Sequence, residues 1–210
     1  MKIVVADHHM IIRRGMQLIV AKRPGWNITE AADAEELFAA LRRERFDVVV
    51  LDLMLRDRSA VDLIAEVRRD HVAVPVLILA SYPEEQYALH ALRAGARGYV
   101  QKDSTADEIL EAIERVAAGR TWLSDAVNEQ MAQEMINPSS RAPHELLSPR
   151  EFEVFRLIAA GRSMTAIAAA LGVSVKTAST YRARILEKTG FEGNADIVAY
   201  AIQKGLRDKG

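Results

Sequence analysis

The chain contains 210 residues, half of them hydrophobic, and its formal net charge is −1. This length accommodates two domains of roughly 120 and 65 residues, each able to bury a core. The absence of cysteine excludes disulfides, thiolate zinc sites and cysteine nucleophiles. The apolar run Ile3–Ala6 is far too short for a signal or membrane segment, so we expect a cytoplasmic protein that does not associate with a membrane.

The small net charge hides an uneven distribution. Residues 1–124 carry 17 basic and 19 acidic side chains, whereas residues 148–210 carry 10 basic and 6 acidic ones. A local basic excess is typical of a surface that meets a negatively charged partner. The C-terminal part of the chain is therefore where a nucleic acid would bind.

Apolar runs alternate with helical patterns over the first part of the chain. The predicted strands are 2–6, 26–31, 47–51, 75–80 and 98–100. The predicted helices are 10–21, 34–43, 61–69, 84–94 and 106–118. Because the strands are almost continuously apolar, they indicate a sheet that is covered on both faces. We therefore predict an α/β doubly wound parallel five-stranded sheet over residues 1–120.

A linker is predicted at residues 121–145. Its first part, 125–136, has the pattern of a linking helix. The following stretch, 137–144, reads NPSSRAPH, and its polar residues and prolines are typical of a connection between domains. The second domain is then expected at residues 146–210.

The second domain is predicted to be all-α, with four helices. Ser-Pro-Arg-Glu at its start forms a capping box with proline at the first helical position. Gly172 provides a turn between the second and third helices, and the last helix is expected to end at Gly205. The residues predicted to cap the four helices are Ser148, Ser163, Ser174 and Asn194. The result is a helix-turn-helix.

The third of these helices has a polar and basic outward surface. Ala178, Ile185 and Thr189 follow an inward spacing, and residues 174–190 have a net charge of +3. Such a helix suits the major groove, where small polar residues meet base edges and longer cations reach phosphates. The outward residues are Lys176, Ser179, Thr180, Ala183 and Arg184. The alternative is a solvated amphipathic helix in an ordinary bundle.

Polar residues at the ends of the predicted strands indicate a second site. Asp7 and Asp52 each end a buried strand, and Lys102 follows the strand that ends at Val100. Ligand sites in this fold class lie at the carboxyl ends of the strands. An aspartate beside a lysine can accept a phosphoryl group while the lysine and a divalent metal neutralise its charge. The simpler alternative is that both aspartates cap the helices that follow.

Both halves of the chain resemble the two-component response regulators of the LuxR-type (NarL/FixJ) subfamily. The matching motifs are VVVLDLML and YALHALRAGARGYVQKD in the first half, and LSPREFEVFRLIAAG and VSVKTASTYRARILEKTG in the second. The resemblance covers nearly the whole chain. It implies a flavodoxin-like receiver joined to a DNA-binding domain, hence a transcription regulator rather than an enzyme.

The resemblance also implies roles for individual residues. Asp52 matches the phosphoacceptor, and Tyr99 and Lys102 match the switch-aromatic and lysine positions. The implied Mg²⁺ ligands are Asp7, Asp52 and the backbone of Met54. The implied DNA-binding residues are Lys176, Thr177, Ser179, Thr180, Tyr181, Arg182, Arg184 and Lys188. The implied partners are double-stranded DNA, a sensor histidine kinase and a second copy of the chain, joined through Ile197, Val198 and Ala201 unless these residues are buried within one domain.

Several positions of the receiver site depart from the family pattern. His8 stands where a second acidic residue is usual, and imidazole should weaken Mg²⁺ binding because this hard ion prefers oxygen. Ala80 stands where a hydroxyl is usual, and Ser81 cannot replace it without a bulge because neighbouring strand residues point to opposite faces. Arg56 and Asp57 replace a usual proline and glycine. We therefore expect phosphorylation of Asp52 to be slow, metal-poor or absent, with control by dimerisation, a ligand or a partner as the alternative.

Other interpretations of the sequence remain open. His8 and His9 could bind a transition metal only with supporting ligands, and the simpler interpretation is that both flank the start of the first helix. A flavodoxin-like enzyme or nucleotide binder is a different class, but the loop ADHHM lacks a glycine-rich or hydroxyl-rich phosphate cradle. A regulator that binds only proteins is a third class, which the salt dependence of DNA binding would distinguish.

Overall fold

Two compact units form the protein, Met1–Asn137 and Pro138–Gly210. The boundary between them lies inside the predicted linker, 17 residues beyond the predicted end of the first domain at residue 120. The computed structural model describes residues 1–56, 58–70, 74–82, 84–136 and 142–206. Asp57 and residues 137–141 of the predicted linker lie outside the described residues.

The described residues of the first unit form seven strands. They are β1 (Lys2–Ala6), β2 (Asn27–Ala31), β3 (Val48–Asp52), β4 (Met54–Leu55), β5 (Arg58–Ser59), β6 (Val76–Ala80) and β7 (Gly98–Gln101). Five of them make one parallel sheet in the order β2-β1-β3-β6-β7, and β4 and β5 make a short antiparallel pair. The predicted five-stranded parallel sheet is confirmed.

Six helices surround this sheet in the described part of the first unit. They are α1 (Met10–Val20), α2 (Ala34–Arg43), α3 (Ala60–Asp70), α4 (Glu84–Ala94), α5 (Ala106–Ala117) and α6 (Asp125–Ile136). Alternate strand residues such as Ile3, Val50 and Leu79 pack on one sheet face with residues of α1 and α5. Each such buried aliphatic side chain stabilises the fold by about 1.5–3 kcal/mol.

The register of the sheet brings strand ends to a common edge. Ala6 of β1 pairs with Leu51 of β3, and Ala80 of β6 pairs with Gln101 of β7. The amide of Lys102, which follows β7, continues the pairing and donates a hydrogen bond of 2.8 Å to Ala80 O. The polar residues that this register brings to the carboxyl edge are Asp7, Asp52 and Lys102.

The start of the predicted linker packs on the first unit. Trp122 forms a parallel bridge with Gly98 at the edge of β7, and its backbone exchanges hydrogen bonds of 3.1 Å with Arg97 O and Tyr99 N. Gly98 permits this approach, because a Cβ there would lie 3.0 Å from Trp122 O. In α6, Val127 is fully buried. Buried apolar residues explain why this stretch extends the first unit.

The second unit contains four α-helices in the described residues. They are α7 (Pro149–Ala159), α8 (Met164–Leu171), α9 (Val175–Thr189) and α10 (Asn194–Gln203), and a 3₁₀ turn, Pro143–Leu146, precedes them. The turn between α8 and α9 contains Gly172 at φ 64°, in the left-handed region that favours glycine. The predicted all-α helix-turn-helix domain is confirmed.

Three of the four predicted caps are confirmed, and one is wrong. The side chains of Ser148, Ser163 and Ser174 each accept a hydrogen bond from an amide in the first turn of α7, α8 and α9. Asn194 does not cap α10, because it is the first residue of the helix and Gly193 occupies the N-cap position, while Asn194 Oδ1 accepts a hydrogen bond of 2.6 Å from Arg182 Nε. The carboxylate of Asp196 accepts from the amides before α10 instead.

The core of the second unit fixes the orientation of α9. Ala178 and Ile185 are fully buried, and they contribute to a core that also contains residues of the other three helices. The remaining members of that core include Phe152, Phe155, Ile158, Ile167, Ile197 and Ala201. Among the described residues of both units, none belongs to a helix with the length and apolar character that a membrane crossing requires.

Candidate phosphoacceptor site and nucleic-acid interface

The carboxyl edge of the sheet holds a buried pocket with two carboxylates and one ammonium. Asp7 is 1% exposed and Asp52 is 4% exposed. Lys102 Nζ donates a hydrogen bond to Asp52 Oδ1 at 3.0 Å and lies 2.7 Å from Asp7 Oδ2. The structure therefore brings together the three charged residues that the sequence predicted at this edge.

Burial controls the electrostatics of Asp52. Desolvation raises its pKa above the ordinary value, and the neighbouring charge of Asp7 raises it further. Lys102 and then His8 act in the opposite direction by favouring the carboxylate. The ammonium is thus the main group that keeps a nucleophilic carboxylate available in a desolvated pocket.

Both histidines of the loop after β1 contact the pocket. His8 Nδ1 lies 3.2 Å from Asp52 Oδ2, and His9 Nδ1 lies 3.1 Å from Asp7 Oδ1. The two rings are 3.7 Å apart. The interpretation that they only flank the first helix is incomplete, because His9 precedes α1 and its ring also meets a buried carboxylate.

The remaining predicted residues of this site surround the pocket. Ala80 is fully buried at the end of β6, where its methyl group offers no hydroxyl. Ser81 lies beyond the strand and lines an open cavity of about 460 Å³ together with Lys102 and His9. Met54 is buried in β4.

The switch-aromatic position is internal. Tyr99 is 1% exposed, and its hydroxyl donates a hydrogen bond of 2.9 Å to Tyr82 O. Burial raises the pKa of this phenol far above its usual value, so the hydroxyl remains a donor at all ordinary pH values. Tyr99 therefore ties β7 to the loop after β6.

Two positioning contacts of the pocket escaped the sequence analysis. Arg13 Nη1 donates to Asp7 O at 2.7 Å, and Arg13 Nε donates to Glu30 Oε2 at 3.0 Å. The amide of His9 donates to Asp7 Oδ1 at 2.7 Å. The Asp-x-His spacing could have indicated this local turn, because aspartate side chains often accept from an amide two residues later. The contact from α1 had no such local signal.

The donor set of the pocket is a poor match for Mg²⁺. Receiver domains typically bind this ion at acidic residues. In this chain, the potential ligand atoms of Asp7, His8, His9 and Asp52 lie within 4.8 Å of one another. Two of these four ligands are imidazole nitrogens, whereas Mg²⁺ requires oxygen ligands in octahedral geometry.

Five of the eight predicted DNA-binding residues are exposed on α9. Thr180 Oγ1 donates to the backbone oxygen of Lys176 at 3.0 Å, so its methyl group and hydroxyl hold a fixed orientation on the helix. Thr177 and Tyr181 are half-buried. The exposed ones are Lys176, Ser179, Thr180, Arg184 and Lys188.

Two predicted phosphate-binding cations have partners inside the unit. Lys188 Nζ lies 2.6 Å from Glu151 Oε2, and Glu151 is 2% exposed. Arg182 Nε donates to Asn194 Oδ1. These contacts give Lys188 and Arg182 a role in joining α9 to α7 and α10.

Comparison with protein families identifies the chain. Residues 3–114 match the response regulator receiver domain, and residues 145–201 match the bacterial regulatory proteins of the luxR family. The chain belongs to the LuxR-type response regulators. This response regulator is also 31% identical to the oxygen regulatory protein NreC of Staphylococcus carnosus, over 99% of this chain and 100% of NreC.

Solved structures resemble the response regulator as well. A LuxR-family two-component response regulator from Aurantimonas sp. SI85-9A1 is 34% identical and covers 65% of this chain and 98% of its own, with a TM-score of 0.58. RcsB from Salmonella enterica, bound to the promoter rprA, is 22% identical and shares the fold over 95% of this chain and 97% of its own, with a TM-score of 0.61.

These matches establish the function in general terms. The protein is a two-component response regulator with a receiver and a LuxR-type DNA-binding domain, and it is a transcription regulator rather than an enzyme. The alternative of a flavodoxin-like enzyme is therefore excluded. The resemblance that the sequence motifs indicated is confirmed.

Proposed function

We propose that this response regulator binds duplex DNA as a homodimer through the exposed face of α9. The observation that carries this proposal is the combination of small polar and cationic side chains on one exposed face, with Ala178 and Ile185 fully buried behind it. Ser179 and Thr180 suit contacts with base edges in the major groove. Lys176 and Arg184 suit contacts with phosphates.

A salt series tests this interface. Selection from a pool of random duplexes would first give a bound sequence. Fluorescence anisotropy of that labelled duplex would then measure the affinity at each salt concentration. Arg184→Ala is then expected to weaken binding to all duplexes and to reduce the slope of log affinity against log salt by about 1. Glu187→Gln removes the negative charge of this helix and should strengthen binding, which provides a control of opposite sign. Unchanged affinity in both variants would contradict the proposed interface.

The dimer is proposed to use α10, where only Val198 of the three residues that the sequence indicated remains accessible. Ile197 and Ala201 are fully buried within one domain, which leaves them unavailable to a partner. Ile202 is 57% exposed and lines an open groove with Val198 and Ile158. Ile202→Glu is therefore expected to reduce dimerisation on DNA, measured by sedimentation velocity, and dimers of undiminished affinity in this variant would exclude the groove.

Asp52 is proposed to be the phosphoacceptor, supplied by a sensor histidine kinase or a small phosphodonor. Lys102, whose Nζ lies 3.0 Å from Asp52 Oδ1, would orient the carboxylate and neutralise the charge of the transferred group. His8 weakens Mg²⁺ binding, and Ala80 offers no hydroxyl to the phosphoryl oxygens. We therefore expect slow phosphorylation, and these two substitutions favour phosphorylation-independent control as the second candidate.

Intact-mass measurement after incubation with acetyl phosphate and Mg²⁺ tests the receiver. The wild-type chain should gain a phosphoryl group slowly, and the restored variant His8→Asp/Ala80→Thr should gain it at least about tenfold faster, since each restored interaction is of the kind worth a factor of 10² or more. Asp52→Asn provides the matched control without a nucleophile. Rapid stoichiometric labelling of the wild-type chain would refute the impaired receiver.

A further inference from the structure

Four side chains of mixed chemistry converge in the receiver pocket. The carboxylates of Asp7 and Asp52 and the imidazoles of His8 and His9 each offer one ligand atom, and these atoms all lie within 4.8 Å of one another. The carboxylates are almost fully buried, whereas both histidines are partly open to solvent. An ion would thus have an entry path from the histidine side.

Lys102 and the histidines contact different oxygens of the two carboxylates. The ammonium meets Asp7 Oδ2 and Asp52 Oδ1. The imidazoles meet Asp7 Oδ1 and Asp52 Oδ2. Because the ammonium uses the opposite oxygens, the histidine side of each carboxylate can accept a cation without displacing Lys102.

The buried carboxylate of Asp7 retains acceptor capacity. Its Oδ2 accepts no well-aligned hydrogen bond among the described residues, and only the ion pair with Lys102 faces it. The ammonium of Lys102, 2.7 Å away, accounts for the charge at this oxygen, so the other oxygen, Oδ1, is the one that faces the histidines. A second positive charge beside two buried carboxylates would reduce their mutual repulsion.

The pocket is also held in place by neighbouring contacts. The amide of His9 fixes Asp7 Oδ1 at 2.7 Å, and Arg13 fixes the carbonyl oxygen of Asp7 at the same distance. Contacts of this kind orient metal ligands and raise affinity in known sites. The loop after β1 is therefore already arranged around the carboxylates.

We infer that this pocket binds a divalent transition-metal ion of borderline softness, such as Zn²⁺ or Co²⁺, through Asp7, His8, His9 and Asp52. Two imidazole nitrogens and two carboxylate oxygens form a set that suits these ions and disfavours Mg²⁺. Metal binding does not depend on Asp52 accepting a phosphoryl group.

Titration of the full, tag-free chain with Co²⁺ tests this inference after removal of metals with a chelator. Visible absorption should show saturable binding of one ion with a spectrum typical of nitrogen and oxygen ligands. Zn²⁺ should displace Co²⁺ at equal concentration. Mg²⁺ should fail to displace it even at roughly 100-fold excess, as expected from the ligand preferences of the two ions.

Histidine variants locate the ion. His8→Ala and His9→Ala should each weaken Co²⁺ binding by more than the roughly 10–100-fold that loss of an outer-shell partner costs. His144→Gln is the matched control, because this histidine lies in the second unit and contacts Tyr200. His8→Asp should shift the preference towards Mg²⁺. Retained binding in the His8→Ala/His9→Ala variant would overturn the assignment.

Measurement on the unmodified chain provides a second readout that does not depend on the folding of variants. Zn²⁺ should shift the ring C–H resonances of His8 and His9 in NMR spectra and leave those of His144 in place. Equal shifts of all histidines, or displacement of Co²⁺ by Mg²⁺ at comparable concentration, would refute the inference. Mass labelling of Asp52 in metal-free buffer reports separately on its phosphorylation.

Discussion

The receiver pocket and the exposed face of α9 represent two ways of building a functional surface. The pocket joins residues 7, 52 and 102 through the register of a buried sheet. The surface of α9 is a single helix of 15 residues, bounded by a serine cap and a left-handed glycine. His8 and Ala80, which the sequence analysis contrasted with the expected pattern, both lie at the pocket, where a side chain changes the chemistry while the buried sheet keeps the fold.

The largest expected loss of stability comes from removing the ammonium of Lys102 from the pocket. Lys102→Met leaves two buried carboxylates without their ammonium, and breaking a buried pair costs about 3–5 kcal/mol. Trp26 and Trp122 both lie in the first unit, so urea unfolding followed by tryptophan fluorescence in the presence of a chelator reports on this unit. Lys22→Met, an exposed lysine of the same unit, is the control. Equal stability of the two variants would mean that the ammonium is dispensable.

A smaller loss of stability is expected when Lys188 of α9, which also pairs with a buried carboxylate, is replaced. Lys188→Met leaves the buried carboxylate of Glu151 with its hydrogen bond from Ser148 N at 2.8 Å, so we expect a loss of about 1–3 kcal/mol. Circular dichroism follows the helices of both units, and because both tryptophans lie in the first unit, the part of the transition that tryptophan fluorescence does not follow reports on the second unit. The salt slope of DNA binding should not change, in contrast to Arg184→Ala. A reduced slope with unchanged stability would reassign Lys188 to the DNA interface.

Removal of the serine cap of α9 should cost still less stability. Ser174→Ala removes the hydrogen bond that Thr177 N donates to the serine hydroxyl at 3.0 Å, and such losses cost about 1 kcal/mol. Thermal unfolding followed by circular dichroism measures this change, and Ser174→Asp should preserve the cap. A larger loss in Ser174→Asp than in Ser174→Ala would show that a side-chain acceptor at this position does not stabilise the helix.

The weakest expected effect is a pH dependence of the second unit. Partial burial lowers the pKa of His144 below its ordinary value of 6.5, with a smaller contribution from Lys204. The neutral ring is thus favoured in the fold, so its stabilisation is present above pH 6.5 and is lost as the pH falls through the folded pKa. Because His144 is only partly buried, solvent screening should limit the change in the free energy of unfolding to well under about 1.4 kcal/mol, which is the free energy that corresponds to a shift of one pKa unit.

Thermal melts between pH 7.5 and 5.5 measure this effect. The wild-type second unit should lose stability over this range, and His144→Gln should lose less because it carries no titrating ring. His8 and His9 lie in the first unit, whose unfolding is followed separately by the fluorescence of Trp26 and Trp122. Identical pH profiles of the two chains would exclude a contribution from His144.

Much of the architecture could be predicted from local patterns. Apolar strands and capped helices are signalled within a few residues, so the elements and the caps at Ser148, Ser163 and Ser174 were predictable. Asn194 was assigned wrongly because its side chain also fits a partner distant in sequence. Arg182 provides that partner from α9, and no local pattern contains this information.

The contacts of the pocket were predictable only in part, again because some of them are not encoded in a local sequence pattern. Strand ends in a parallel sheet share one edge, so the meeting of Asp7, Asp52 and Lys102 followed from the predicted topology. The contact of His9 with Asp7 depends on the course of a three-residue loop, and the contact of Arg13 depends on the side-chain rotamer of α1. Neither is fixed by hydrophobic periodicity.

The bridge between Trp122 and Gly98 has a consequence for how the receiver behaves as a separate fragment. β7 is the last strand of its sheet, and the backbone around Trp122 satisfies the amide of Tyr99 and the carbonyl of Arg97 along its outer side. A fragment ending at residue 120 would present these groups to solvent, and bare strand edges promote pairing between molecules. A fragment ending at residue 136 should stay dispersed at concentrations where the shorter one self-associates.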